Sequence, residues 1–153
     1  AKAGYELRQS EGDSGTIGSP VVDISITQRF SDRTELTLAY SRRQQESVQF
    51  VGNTYTSDAI STLLAQSFGA DARLRARLEA AYVMSAYETE QRLALSVQDR
   101  EDTSIISGLT ITYDVKLWMR VFGSYNFEWL ESNDPAVVDY IVNRISIGLQ
   151  LGY

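Results

Sequence analysis

Residues 73–84 read RLRARLEAAYVM, and the fold turns on whether this stretch coils or extends. Leu74, Leu78 and Ala81 match a helical stripe, and Ala, Leu, Arg and Glu are good helix formers. Against a helix, Leu74, Ala76, Leu78, Ala80, Tyr82 and Met84 alternate without a break with Arg73, Arg75, Arg77 and Glu79. An extended chain shows successive side chains to opposite faces, so this period-two order gives one apolar and one charged face. The short turn GADA (69–72) precedes it, and the neighbouring segments keep the same rhythm, so a strand is expected here.

Working outward, seven further segments repeat the pattern. In residues 1–9, Ala1, Ala3, Tyr5 and Leu7 oppose Lys2, Gly4, Glu6 and Arg8, before a Gly/Ser/Asp-rich loop over 10–20. In 21–30, Val22, Ile24, Ile26, Gln28 and Phe30 oppose Asp23, Ser25, Thr27 and Arg29; the turn SDR (31–33) follows. Leu36, Leu38 and Tyr40 then oppose Glu35, Thr37, Ala39 and Ser41. After a polar stretch around QFVGN (49–53), Ile60, Thr62, Leu64 and Phe68 share a side. Beyond the opening segment, Ile105, Leu109, Ile111 and Tyr113 lead into a turn at DVKL (114–117). Met119, Val121, Tyr125, Phe127 and Trp129 then oppose Arg120, Ser124, Asn126 and Glu128. SNDPAV (132–137) is the last loop, and Ile145, Ile147, Leu149 and Leu151 alternate with Ser146, Gly148, Gln150 and Gly152 at the end.

The apolar sides so defined hold no Asp, Glu, Lys or Arg. A soluble sandwich and a membrane barrel would both impose that, so the aromatic residues have to separate them. Phe30, Phe68, Tyr113 and Tyr153 end the apolar sides of the even segments, while Tyr40, Tyr82, Tyr125, Phe127 and Trp129 stand late in the odd ones. Two levels of amphipathic rings suit the two water boundaries of a bilayer. The connections after Phe30, Phe68 and Tyr113 are short and the others longer, which is the order of periplasmic turns and external loops. The expectation is an all-β chain: one domain over 1–153, folded as an antiparallel transmembrane β-barrel of eight up-and-down strands with both termini on the periplasmic side.

Composition narrows the chemistry. With 14 basic and 20 acidic residues, clustered phosphate neutralisation is not expected, and neither is a nucleic-acid partner. The chain has no Cys and no His, which removes thiolate, Ser-His-Asp and His-based metal or acid–base chemistry. Glu46, Asp58, Glu88, Glu90, Asp99, Glu101 and Asp102 read as solvated loop or rim charges. Neither a glycine-rich phosphate loop nor an Asp-rich calcium loop is present. Enzymatic activity and cofactors are therefore not expected. No run approaches the roughly 18 apolar residues of a spanning helix, a test that barrel strands of about 9–11 residues escape.

The terminal SIGLQLGY (146–153) resembles the carboxy-terminal signal read by the machinery that inserts outer-membrane barrels, through Ser146, Gly148, Leu151 and Tyr153. Further, GYELRQSEG, TELTLAYSRRQQES and DREDTSIISGLTITYDVKLWMRVFGSYNFEWLES resemble the β-barrel porin family found beside exopolysaccharide secretion genes in Gram-negative bacteria. Members of that family are usually larger, so the resemblance also admits this chain as the closing portion of a longer barrel. It implies an outer-membrane location, a lipid environment, and an anionic polysaccharide or a secretion complex as partner.

Facing inward by this assignment are Arg73, Arg75, Arg77, Glu79, Arg120, Glu128 and Arg144, together with Lys2, Arg8, Arg29, Arg43, Glu6, Asp23, Glu35 and Asp114. Two readings stand for Arg73, Arg75 and Arg77: a packed salt-bridge ladder, or the wall of a polyanion path. An eight-stranded barrel closed on itself leaves an interior just wide enough for side chains and acts as an anchor; a wider barrel would conduct and serve polysaccharide export. A soluble β-sandwich interaction module is the contrasting expectation.

Overall fold

The computed structural model describes the backbone of residues 2–9, 16–46, 54–88 and 100–152, and side chains over 21–45, 55–87 and 100–152. Its regular elements are all strands: β1 (Lys2–Gln9), β2 (Thr16–Ser31), β3 (Thr34–Glu46), β4 (Thr54–Phe68), β5 (Leu74–Glu88), β6 (Arg100–Lys116), β7 (Met119–Ser132) and β8 (Tyr140–Leu151). From β2 to β8 each strand pairs antiparallel with the next in one up-and-down sheet, and the β1 backbone runs along β2. The helical alternative for residues 73–84 is not taken. β5 pairs with β4 from Leu74↔Phe68 to Glu88↔Thr54 and with β6 from Leu74↔Tyr113 to Tyr87↔Arg100.

Several boundaries differ from the sequence reading, because backbone pairing extends strands past the end of the alternation signal. Thr16–Pro20, expected as loop, belongs to β2, where Pro20 sits opposite Tyr5 near the sheet margin. β6 continues through Asp114–Lys116, which shortens the expected DVKL turn to Leu117–Trp118, with a register shift between Asp114 and Lys116. A second shift, between Arg29 and Ser31, lies beside the two-residue turn Asp32–Arg33. In the turn between β4 and β5, Gly69 has φ +77° and Ala72 +50°. Gly69 takes that conformation without steric cost. The polar stretch around QFVGN lies outside the described residues, as do Ala1 and Tyr153.

Register carries the alternation across the sheet. One row runs Ile24–Tyr40–Ile60–Tyr82–Ile105–Trp129–Ile141 through β2 to β8. Eight residues away along the strands, a second runs Phe68–Leu74–Tyr113–Val121–Leu149 through β4 to β8. Cross-strand partners share a face, and a slip of one residue would send every apolar side chain to the other side. Of the aromatic levels expected, Phe68 and Tyr113 share the second row and Tyr40, Tyr82 and Trp129 the first; Tyr125 lies four residues from Trp129 toward the short turns.

The sheet is not closed. Among the described residues no ladder joins β8 to β1, so the expectation of a self-contained eight-stranded barrel is not met by this chain. Alternation fixes which face each side chain takes, but says nothing about what pairs the two outermost strands.

Where the chain is tight, a glycine is the reason. A Cβ on Gly148 would collide with the ring of Phe122, which lies over it from the neighbouring strand. Gly148→Val is therefore expected to destabilise the fold by about 1–3 kcal/mol, read as a lower urea midpoint of refolded protein, with part of the loss recovered by adding Phe122→Ala.

Candidate functional site: two faces of one sheet

No hydrophobic residue among those described is buried, an inversion of a soluble sheet. Ile26 is 68% exposed and Ile147 84%, and Ile24, Leu38, Ile60, Leu78, Met84, Leu109, Ile111 and Leu149 are also exposed. All lie on the face defined by the two rows. Between those rows the face holds no Asp, Glu, Lys or Arg from β2 to β8. The span is about 27 Å along the strands at ~3.4 Å per residue. A monomer in water rarely shows an apolar patch beyond a few hundred Å².

Several uncharged polar groups on this face are tied down. Thr34 Oγ1 donates to Gln66 Oε1 at 2.7 Å, Gln66 Nε2 to the Ser67 carbonyl at 2.8 Å, and Gln28 Nε2 to the Arg29 carbonyl at 3.0 Å. Tyr125 donates to Asn143 Oδ1 at 2.6 Å. Each bond removes a polar group that would be costly in an apolar medium. Charges return one row beyond Tyr40 and Ile60, where Arg42 pairs with Asp58 at 3.5 Å and Tyr40 donates to Asp58 Oδ1 at 2.6 Å.

Lys2, Glu6 and Arg8 lie outside the residues whose side chains are described; of the other predicted inward residues, register brings Arg75, Arg77, Glu79, Arg120, Glu128 and Arg144 together onto the opposite face. Arg73 is the exception. It precedes β5 and its guanidinium reaches Asp71 in the turn, at 3.6 Å, so Arg73, Arg75 and Arg77 form no common ladder. Arg75 and Arg120 both bind the Asp114 carboxylate from opposite sides, whereas Arg77 pairs with Glu79 on its own strand. Arg29 pairs with Glu35 at 2.8 Å and Arg43 with Asp23 at 3.1 Å. Tyr140 donates to Glu128 Oε1 at 2.6 Å. None of these pairs is sealed from solvent: the Arg77 and Glu79 side chains remain 58% and 53% exposed.

Among described residues this face holds seven arginines (Arg29, Arg43, Arg75, Arg77, Arg100, Arg120, Arg144) and six carboxylates (Asp23, Glu35, Glu79, Asp102, Asp114, Glu128). It is thus nearly neutral among the described residues. The backbone between the charges is clothed in small groups such as Ser61, Ala81 and Gly108. A hollow of about 350 Å³ touches Thr37, Ser61, Arg77, Ile106 and Asn126, one from each of β3 to β7, so the sheet curves toward this side. Nearer the short turns, a second hollow of about 740 Å³ is bordered by Asp71, Arg73, Asp114, Trp118, Arg120 and Gln150.

One polar cluster escaped sequence reasoning. Asp102, expected as a solvated rim charge, is 6% exposed and the one buried residue among those described. Arg100 binds it through two nitrogens, Nε at 2.9 Å, and Ser132 donates its hydroxyl to the same carboxylate. The Arg100 guanidinium stacks over Tyr87 at 4.2 Å, and Tyr87 stacks on Tyr55 with centroids 4.7 Å apart. β4, β5, β6 and β7 are thereby clasped at the end away from the short turns. The signal was faint: Arg100 and Asp102 at spacing two, with partners 30 residues distant or more in Ser132 and Tyr55.

Of the insertion-signal residues, Ser146 and Gly148 lie on the polar face, paired with Ser124 and Phe122, and Leu151 lies opposite Met119. Gly148 has a local reason to be glycine in the Phe122 contact. Comparison with protein-family models, with curated proteins and with solved structures finds no match for this chain. Among described residues no helix is long and apolar enough to cross a membrane, and no group of His, Cys, Asp or Glu is placed to hold a metal ion.

Burial alone would raise the Asp102 pKa, but hydrogen bonds from Arg100 and Ser132 outweigh it and hold the carboxyl below its ordinary range. A depressed folded-state pKa gives stability that is present above the unfolded value near 4 and is lost as pH falls through the folded one. Acid titration of unfolding should show this loss below about pH 4, and Asp102→Asn should flatten that part of the curve while lowering stability at neutral pH by about 3 kcal/mol.

Proposed function

We propose that this sheet is wall from an outer-membrane β-barrel, with its charge-free face against lipid and its polar face lining an aqueous passage. The observation that carries the reading is the inversion of exposure: Ile24, Leu78, Ile111 and Ile147 stand in the open, whereas Ser61, Ala81, Gly108 and Asp102 are sheltered on the curved side. Water would drive the reverse, because the hydrophobic effect hides apolar surface. The bilayer-crossing segments are then β4 Ile60–Phe68, β5 Leu74–Tyr82, β6 Ile105–Tyr113, β7 Val121–Trp129 and β8 Ile141–Leu149. A tilt of about 35–45° turns their length into roughly 20 Å of height, with rings at both margins bringing it toward the ~25 Å apolar band of such barrels. Asp102, Arg100 and Tyr87 fall outside that band, on the loop side.

A passage rather than an anchor is favoured by the half-exposed ion pairs and the hollow between them. A closed eight-stranded interior would be filled by side chains. The lining presents hydroxyls, amides and balanced charges, which suits a hydrated, hydroxyl-rich chain, and the resemblance of the sequence to exopolysaccharide-linked porins makes polysaccharide export the proposed use. Neither catalysis nor a cofactor is part of the proposal.

Planar-bilayer recording of detergent-refolded protein tests the passage. Discrete conductance steps with weak selectivity between anions and cations are expected, and a folded, inserted but electrically silent protein would refute it. The lipid contact is tested by Leu109→Arg, which should cost about 2–4 kcal/mol of membrane-embedded stability. The same change at the polar-face Thr110 should cost much less, and equal effects would end the reading. The single-tryptophan variants Trp118→Phe and Trp129→Phe should both report interfacial positions to depth-dependent lipid quenchers.

A further inference from the structure

We infer that the β6–β7 turn docks an anionic phospholipid, with Lys116 meeting the phosphate and Leu117 and Trp118 seated at the headgroup boundary. This rests on the lipid contact proposed above and is independent of any passage. The short turns differ in chemistry. Asp32 and Arg33 join β2 to β3, and the turn at 69–73 carries Gly69, Asp71 and Arg73, residue types that suit a turn in water. Between β6 and β7 stand Leu117 and Trp118 instead. Leu117, at 109%, is the most exposed large hydrophobic residue among those described, and Trp118 is half exposed. An indole ring suits the boundary between headgroups and hydrocarbon, and a leucine beside it adds apolar area at the same level.

A bulge aims the lysine. Asp114 pairs with Arg120 on the polar face, and unbroken alternation would put Lys116 on that face too. The register shift between Asp114 and Lys116 sets Lys116 opposite Met119, which itself stands opposite Leu151 on the apolar side. Lys116 is thereby the first charge on that side of β6 and β7 past the Tyr113–Val121–Leu149 row, and its partner Met119 lies two residues, ~7 Å, beyond Val121. Among the described residues no carboxylate lies within ion-pair distance of Lys116; its ammonium stands over the Trp118 ring, 5.4 Å from the centroid. A cation held on the lipid side without an anion from the protein has water or a headgroup phosphate to meet its charge.

The loop-side margin has the other sign. There the same side of the sheet carries Arg42, already paired with Asp58, and then Glu131 opposite Thr103 and Glu101 opposite Ala86. Negative headgroups are repelled by those carboxylates and drawn to Lys116, so the two leaflets are not equivalent to this sheet. Lipid is preferred to a protein partner at the turn because Lys116 and Met119 continue, without a break, the side that faces hydrocarbon in the reading above.

The two tryptophans of the chain can report separately, Trp118 in Trp129→Phe and Trp129 in Trp118→Phe. Each variant is refolded into phosphatidylcholine vesicles that contain the same small fraction of either phosphatidylglycerol or phosphatidylcholine brominated on the upper acyl chain. At low salt Trp118 should be quenched about two- to fivefold more by the brominated phosphatidylglycerol, and Trp129 alike by both. Lys116→Gln should abolish the excess and Lys116→Arg should keep it. Molar salt should erase it, because screening then cuts the reach of a charge to about 3 Å. Equal quenching of Trp118 by the two lipids, or an excess that survives Lys116→Gln, overturns the headgroup contact. So does a Trp118 that neither lipid quenches while Trp129 is quenched, which would place the turn in water, in the neighbouring hollow or against another protein. Loss of the lipid contact itself would look different: neither tryptophan would be quenched by either lipid.

Discussion

A strand that holds its charges to one side for nine or more residues has to put the other side where water is absent. Everything else in this chain follows from that constraint. Register multiplies it, since pairing partners share a face and each added strand must keep the same phase. In the sheet from β2 to β8 the phase never slips inside the band, and both irregularities, at Arg29/Ser31 and Asp114/Lys116, fall beside tight turns at its margin. Bulges there adjust how a strand enters its turn without disturbing the apolar face.

The polar side shows the complementary economy. Its charges nearly cancel, and they cancel locally, through the Arg75–Asp114–Arg120 bridge, the Arg77–Glu79 pair and the Arg100–Asp102 clasp. Exposed ion pairs contribute little stability, about 0–1 kcal/mol each. Their effect here is to keep long side chains in defined places along a curved surface. The buried clasp differs in kind. Arg100 and Asp102 lie at 14% and 7% side-chain exposure, so each depends on the other for solvation, and the pair fixes the loop-side ends of the strands it touches.

How far all this was legible depends on the range of the interaction. Face assignment is a property of adjacent residues, so Leu74 through Met84 revealed strand character despite good helix propensities, and the apolar positions of β2 to β8 were readable one strand at a time. Strand ends were less so. The pairing that draws Thr16–Pro20 and Asp114–Lys116 into ladders is made with residues elsewhere in the chain. The site divides in the same way: Arg75, Arg77, Glu79, Arg120, Glu128 and Arg144 were found by alternation, while the ion partner of Arg73 was not legible, because Asp71 lies in the turn that precedes β5. Asp102 was missed outright, since its burial comes from Ser132 and Tyr87, on two other strands. Closure was the least legible feature, being set by strands that among the described residues have a neighbour on one side only.

Among the described residues each strand packs only against the strands before and after it in sequence. Cohesion in such a sheet is a sum over neighbouring pairs, as in repeat proteins. A hairpin could therefore be gained or deleted between two others with only the local seams to refit. A sheet organised this way can change its width by duplication in steps of two strands, so its breadth becomes a quantity that evolution can tune without redesigning any residue already in place.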